Sequence, residues 1–327
     1  MTLVRSLAPA RAVGRRSWSP LRRLLVLSPD EASFTRRGFT AADSARRDAL
    51  EAVGRDFIAG YNAALLARDI DDLAEGLATV AQASRGFFAE GAAMGVAIAD
   101  GLSLRQPQLG TYLTAADRDF TYLAHVGTGW ALARMPWRRR AILESLDALH
   151  GWLAFDGLGF HDAYFQHARI AAGWRRETQD YGARVYDQGV GRALWFVAGG
   201  DVSVAARHIA GLDPSRRDDL WSGLGLAMAY AGPAADSEFA AARDIAGASS
   251  AAFAQGIAFA CEARARARII PVGTDRAART VWGRGAEDVA ALVRRSRARL
   301  PRTAPANLSP RYEIWRVDVA REWGSSP

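Results

Sequence analysis

The 327-residue chain has no lysine: all 42 of its basic residues are arginine. Its isoelectric point near 10.1 therefore reflects the very high pKa of arginine as much as a real excess of charge. Cysteine is nearly absent as well. The single thiol, Cys261, excludes an intrachain disulfide framework and a cysteine-rich metal site. Its setting, IAFACEA, reads as a small buried side chain rather than a nucleophile. Long apolar runs are missing: the basic N-terminal stretch offers only residues 24–27, too short for a signal-peptide core, and nothing approaches a membrane span. A soluble, cytoplasmic protein is expected. Alternating β-branched runs are missing too, so little strand is predicted.

Several chemical signatures are also lacking. There is no glycine-rich phosphate loop, no zincin histidine pair, no nucleophile elbow and no cysteine cluster. GLGLA at 223–227 follows no strand and is not a dinucleotide fingerprint. The acidic clusters DIDD (69–72) and RRDD (216–219) sit at helix starts and read as caps, not as an aspartate-rich metal motif. Neither a metal nor a cofactor is expected.

What is present is apolar material for a sizeable core, with half of the residues hydrophobic and a quarter charged. The formal charge of +7 is uneven. Residues 1–47 hold ten arginines against Asp30, Glu31 and Asp43, and the remaining residues carry as many acids as arginines. A nucleic-acid protein would more often carry its basic face on the folded body. Residues 1–27 read instead as a disordered basic leader.

Helical patterning fills the rest. Ser28-Pro29-Asp30-Glu31 is a helix start, and Thr40 with Asp43 opens a longer helix bearing Leu50, Val53, Phe57 and Tyr61. Asp69 caps a helix over about 70–81, Ser84 the next, and Thr114 with Asp117 another. Pro136 begins a helix that DGLG (156–159) should end. Ser309-Pro310 opens a last short helix. Four helices share a composition of glycine and alanine: EGAAMGVAIADG (90–101), HVGTGWALAR (125–134), DLWSGLGLAMAYAG (219–232) and QGIAFACEA (255–263). Glycine inside a helix costs roughly 1 kcal/mol relative to alanine, so these helices should pack with their backbones close together.

The second half echoes the first, with an offset of 132 from Gly91 to Gly223 and 127 from Gly129 to Gly256. The expected architecture is all-α, a tandem pseudo-repeat of helical hairpins forming a solenoid or closed bowl. A first repeat would span 28–158, a connecting segment with GFHDAYF 159–185, a second repeat 186–300 and a C-terminal extension 301–327.

Candidate site residues follow from this arrangement. His161 and Asp162, within GFHDAYFQH, offer an imidazole–carboxylate pair for proton transfer, or else a helix-start motif. His167 lies six positions from His161, poor spacing for a metal. A polar residue precedes the glycine in each glycine helix: Glu90, Thr128, Gln188, Ser222 and Gln255. If these face inward they line one cavity, with Glu90 as its acid. Trp130, Trp195, Trp221 and Tyr230 are its expected aromatic walls. Tyr186, Asp187 and Arg192 complete the set: Asp187 and Arg192 are expected to pair, or the guanidinium fork to take an anion.

The segments ASFTRRGF (32–39), HVGTGWALAR, GFHDAYF, DQGVGRALWF (187–196), WSGLGLAMAYAG and QGIAFA together resemble a bacterial family known only as domain of unknown function 1702. The resemblance covers about residues 20 to 300. Members of that family occur in gene clusters for enediyne and related polyketide natural products. It therefore implies a cytoplasmic accessory or tailoring protein of secondary metabolism, and it supplies no reaction and no catalytic residues.

The resulting expectation is a protein that binds an elongated, apolar biosynthetic intermediate, such as a polyene or nascent polyketide, in a cavity between the repeats, and folds or cyclises it. The sequence does not fix whether bonds are made or broken. The alternative is a non-catalytic helical-repeat scaffold that docks a polyketide synthase or another cluster protein. Nucleic-acid binding is disfavoured by the neutral body.

Overall fold

Several helices begin where a short polar side chain satisfies free N–H groups. Ser28 accepts from the Asp30 N–H, Asp43 from Arg46, Asp69 from Asp72 and Asp201 from Val204. The computed structural model describes residues 20–103, 106–176, 178, 181–302 and 310–324, and these form an all-α fold with no strand among them. In chain order the helices are α1 (Pro20–Arg23), α2 (Phe34–Arg37), α3 (Ser44–Leu66), α4 (Ile70–Thr79), α5 (Arg85–Gly101), α6 (Leu109–Arg134), α7 (Arg139–Glu144), α8 (Leu153–Phe165), α9 (His167–Ala171), α10 (Gly182–Val197), α11 (Val202–Ala210), α12 (Arg217–Ala231), α13 (Asp236–Ala246), α14 (Ser250–Arg266), α15 (Val272–Trp282), α16 (Ala286–Ala298) and α17 (Arg311–Gly324).

They form two layers. α5, α8, α10, α12 and α14 are buried on nearly every side, whereas α4, α7, α11, α13 and α15 keep an exposed face. Each inner helix packs on the next, from α3 on α5 through to α14 on α16. α6 serves both layers. Phe120 leaves helical geometry (φ −132°, ψ 21°) and divides an amphipathic first half from a buried second half. The inner row curls back on itself. Phe87 of α5 meets the Tyr230 ring of α12 edge-on at 5.3 Å, and Arg264 of α14 donates to the Ala83 carbonyl at 2.7 Å.

A recurring tetrapeptide accounts for the tightness of this row. The pattern residue–Gly–x–Gly stands at 126–129 (VGTG), 156–159 (DGLG), 188–191 (QGVG) and 222–225 (SGLG), with EGAA at 90–93 and QGIA at 255–258. The first carbonyl of each motif faces the first glycine of the next: Glu90 faces Gly127, Val126 Gly157, Asp156 Gly189, Gln188 Gly223 and Ser222 Gly256. The second glycines return the contact, Gly129 against the Ala154 carbonyl, Gly159 against Tyr186 and Gly191 against Leu220. A Cβ at any of these positions would fall well inside van der Waals contact with backbone oxygen. The first glycines recur every 30 to 36 residues, so the offset of 132 between Gly91 and Gly223 spans four steps of the row.

Several expectations move. Residues 1–19 of the expected leader lie outside the described residues, but 20–27 are part of the fold. The Leu27 N–H donates to Asn62 Oδ1 at 2.9 Å, and the Leu27 carbonyl accepts from Asn62 Nδ2 at 2.8 Å. Asp43 caps α3 without Thr40, Ser84 makes no capping hydrogen bond, and α6 begins at Leu109 rather than Thr114. DGLG does not end a helix; it lies in the middle of α8, and GFHDAYF is the second half of that helix rather than a helix start. The close approach that its glycines allow offsets their poor helix propensity. Ser309 lies outside the described residues, while α17 beyond it buries Tyr312 and Trp315.

This packing predicts opposite outcomes for one substitution. Gly189→Ala or Gly223→Ala should destabilise the protein by about 1–3 kcal/mol, because backbone must move. Gly273→Ala, where a Cβ meets nothing within 4 Å, should stabilise it by about 0.5–1 kcal/mol. Urea unfolding of the three variants checks both, and equal effects would refute the packing argument.

Candidate functional site

The curl of inner helices leaves space that the side chains do not fill. The larger hollow encloses about 830 Å³ including its open mouth. Its walls are mainly apolar, with Phe57, Phe87, Trp130, Phe160, Phe165 and Phe196 contributing rings from five inner helices. Residues Leu27, Glu31 and Ala32 form another wall, held in place by the Leu27–Asn62 pair. A second hollow of about 500 Å³ lies between Tyr122, Phe259, Tyr312 and Trp315. The two share Arg192, Leu226 and Tyr230 as common lining.

A polar cluster stands at that junction. Arg192 is bound to Asp156 and lies 3.7 Å from Glu90. Trp130 Nε1 donates to Glu90 Oε1 at 3.3 Å, and Gln188 Nε2 donates to Asp156 Oδ2 at 2.8 Å. Glu90 is the acid of EGAA, Asp156 that of DGLG, and Gln188 begins QGVG, so the glycine contacts that set the helix spacing also bring these side chains together. Ser222 and Gln255 repeat the arrangement one step on, at 2.8 Å. The Arg192 Nε and the Tyr230 hydroxyl have no hydrogen-bond partner among the described residues.

Burial sets the charges here. Loss of solvent pushes the Glu90 carboxyl up to about 7, against the pull of Arg192, and the neighbouring Asp156 pushes the same way. Burial alone would lower the Arg192 pKa, but Asp156 and Glu90 together hold it above its ordinary value. Near neutral pH the cluster can thus hold a protonated carboxyl beside an apolar hollow. Such a group can donate a hydrogen bond or a proton, with Arg192 steadying the carboxylate that results.

Of the residues expected from sequence, Glu90, Trp130, Arg192 and Tyr230 come together around this space. The others serve the surrounding core. Asp162 accepts from Arg176 Nε at 2.6 Å and Nη2 at 2.8 Å and from the Tyr186 hydroxyl at 3.1 Å, which occupies both Asp162 and Tyr186. Burial pushes the Asp162 carboxyl up, yet the Arg176 guanidinium holds it below its usual range. His161 lies 3.3 Å from Asp162, edge-on to Trp130, and burial lowers its pKa. Trp195 donates to the Gly232 carbonyl at 2.8 Å, and Trp221 packs edge-on against Phe253. Neither tryptophan lines a hollow. The expected Asp187–Arg192 pair is not made. Asp187 binds Arg175 at 2.6 Å and Arg216 at 2.8 Å, while Arg192 takes Asp156 from α8, the preceding helix of the row. Cys261 is buried.

Asp156 is the main residue missed. The signal was available, since Asp156-Gly157 has the same polar–glycine form as Gln188-Gly189. Phe57 lies on the apolar face already read for α3, but Phe87, Phe160, Phe165 and Phe196 gave no signal: their helices are buried on nearly every side, so no polar face marks the side that meets the hollow.

The raised Glu90 pKa fixes the sign of a pH effect. Between about 4.5, where the unfolded carboxyl titrates, and about 7, the unfolded chain has released a proton that the folded protein keeps. This contribution is fully present below the lower value and is lost as pH rises through the upper one. The stability of Glu90→Gln relative to the parent should therefore grow with pH across that window and level off above it. Urea unfolding of both proteins from pH 5 to pH 8 reads the difference, and a flat difference would show that Glu90 ionises normally.

Among the described residues no helix is long and apolar enough to cross a membrane, and no group of three or more His, Cys, Asp or Glu is placed to hold a metal ion. No curated protein and no solved structure matches the chain. A family model does, over residues 17–323, nearly the whole length, and on that match the chain belongs to the family described as Protein of unknown function (DUF1702).

Proposed function

We propose that the protein binds an elongated apolar molecule inside the curl of its inner helices. One observation carries this reading: two apolar hollows, of about 830 and 500 Å³, meet at a shared wall of Arg192, Leu226 and Tyr230. Adjoining hollows lined by aromatic rings, with a few convergent polar groups between them, have the chemical character of a ligand site. A rod-shaped molecule could lie along both hollows and pass the junction, where Glu90 and Arg192 present the polar groups. The aromatic walls suit a conjugated chain, whose faces stack on rings.

The molecule we have in mind is a polyene or nascent polyketide of the enediyne type, and the protein an accessory or tailoring factor that holds it folded, away from water. Proton transfer at the junction would fall to Glu90, which lines both the hollow and the polar cluster, rather than to His161 and Asp162, whose carboxylate is engaged with Arg176 and Tyr186.

A linear conjugated tetraene ester, whose emission rises when it leaves water, tests the reading. Titration should give saturable emission with a dissociation constant of about micromolar order. Leu226→Trp, which fills the junction, should weaken binding by about tenfold or more while leaving the helical circular dichroism unchanged. Emission that never saturates, or that Leu226→Trp leaves untouched, would rule out these hollows as the site.

A further inference from the structure

The rim and the interior of the larger hollow are charged in opposite ways. Inside, the one lining guanidinium is already taken, because Arg192 faces both Asp156 and Glu90. An anion placed there would meet two acids and displace an existing ion pair. At the mouth the balance reverses. Glu31 is the acid that lines it, and that carboxylate is shared by Arg36, at 2.7 Å, and Arg37. Arg134, on the last turn of α6, also lines the mouth, is exposed, and has no acidic partner among the described residues. Its guanidinium lies over the Phe165 ring at 5.5 Å, and that of Arg37 lies over the same ring at 4.9 Å.

Phe165 connects this rim to the interior. It meets Trp130 edge-on at 6.1 Å, and Trp130 in turn reaches Glu90 at 3.3 Å. Trp130 and Arg134 stand one helical turn apart on α6, so their Cα atoms are about 6 Å apart along the axis. A path lined by aromatic rings thus begins at a fork-shaped cation with no acidic partner among the described residues and ends at a junction that disfavours further negative charge.

We infer that the molecule bound in the hollow is amphipathic, with an anionic head that Arg134 receives at the mouth and an apolar chain that runs inward past Phe165 and Trp130. This rests on the reading of the hollows as a binding site and adds the polarity and direction of the ligand. Carboxylate and phosphate heads share the required chemistry, since the planar guanidinium donates two parallel hydrogen bonds to either.

The probes are a linear conjugated tetraene carboxylic acid and its methyl ester, which have the same chain and differ in head charge. The parent protein should bind the acid about three- to tenfold more tightly than the ester, and added salt should narrow the gap. Arg134→Gln should abolish that preference, lowering the affinity for the acid to about that of the ester. A long-chain alkyl phosphate that displaces the acid more strongly than the matching alkyl carboxylate identifies a phosphate head, and the reverse order a carboxylate. Equal binding of acid and ester by the parent, or a preference that survives Arg134→Gln, would overturn the inference while the hollow remains a binding site. Failure of both probes to bind would remove the hollow reading, and the inference with it.

Discussion

The approach of one backbone to the next through glycine is the constraint on which this structure depends. A helix carrying ordinary side chains keeps its neighbour at 8–10 Å between axes. Here the first carbonyl of one tetrapeptide lies against the first glycine of the next, through five successive contacts from Glu90–Gly127 to Ser222–Gly256. Interior glycines lower helix propensity by roughly 1 kcal/mol each. The compensation is backbone contact along the whole row, including Cα–H to carbonyl approaches of the kind that recur at tight helix interfaces. The same contacts fix the register: each helix can slide on its neighbour only by driving a Cβ into a carbonyl.

That register is what assembles the polar centre. The residue that supplies each facing carbonyl also carries the side chain of the motif's first position, so Asp156 and Gln188 on α8 and α10 meet at 2.8 Å, as Ser222 and Gln255 do on α12 and α14. Arg192, one turn beyond Gln188, reaches back across the same interface to Asp156 and over to Glu90. The polar groups of the hollow are therefore a by-product of the packing rule, and substitutions at the glycines should disturb the centre as well as the stability.

Much of this was legible in the sequence, and the rest was hidden for physical reasons. The all-α class, the caps at Ser28 and Asp69 and the close packing of the glycine helices followed from local chemistry that tertiary structure does not override. Segmentation failed at DGLG because glycine beside aspartate ordinarily stops a helix, and only a neighbouring backbone makes it acceptable inside one. With α8 cut there, Asp156 became a terminus and GFHDAYF a separate motif. His161 and Asp162 then drew attention because they are adjacent in the chain. The partners that decide the roles are further off in sequence: Arg176 holds Asp162, and the acid that matters to Arg192 lies 36 positions away. No local pattern encodes that choice.

The distribution of arginine among acids explains why the interior can hold a proton. Around the core, acids are matched or outnumbered: Asp187 by Arg175 and Arg216, Asp219 by Arg184 and Arg316, Asp162 by Arg176. Opposite charge there replaces part of the solvent that each carboxylate has lost, which holds Asp162 below its usual range, although burial still raises Asp187 to about 6. At the junction the ratio inverts, with two acids facing one guanidinium. A buried cluster cannot carry the surplus negative charge cheaply in a medium of low polarity, so one carboxyl keeps its proton. Asp156 is bound to both Arg192 and Gln188, whereas Glu90 is held by the indole of Trp130 and stands further from the cation. The proton therefore belongs on Glu90, the acid that also lines the larger hollow.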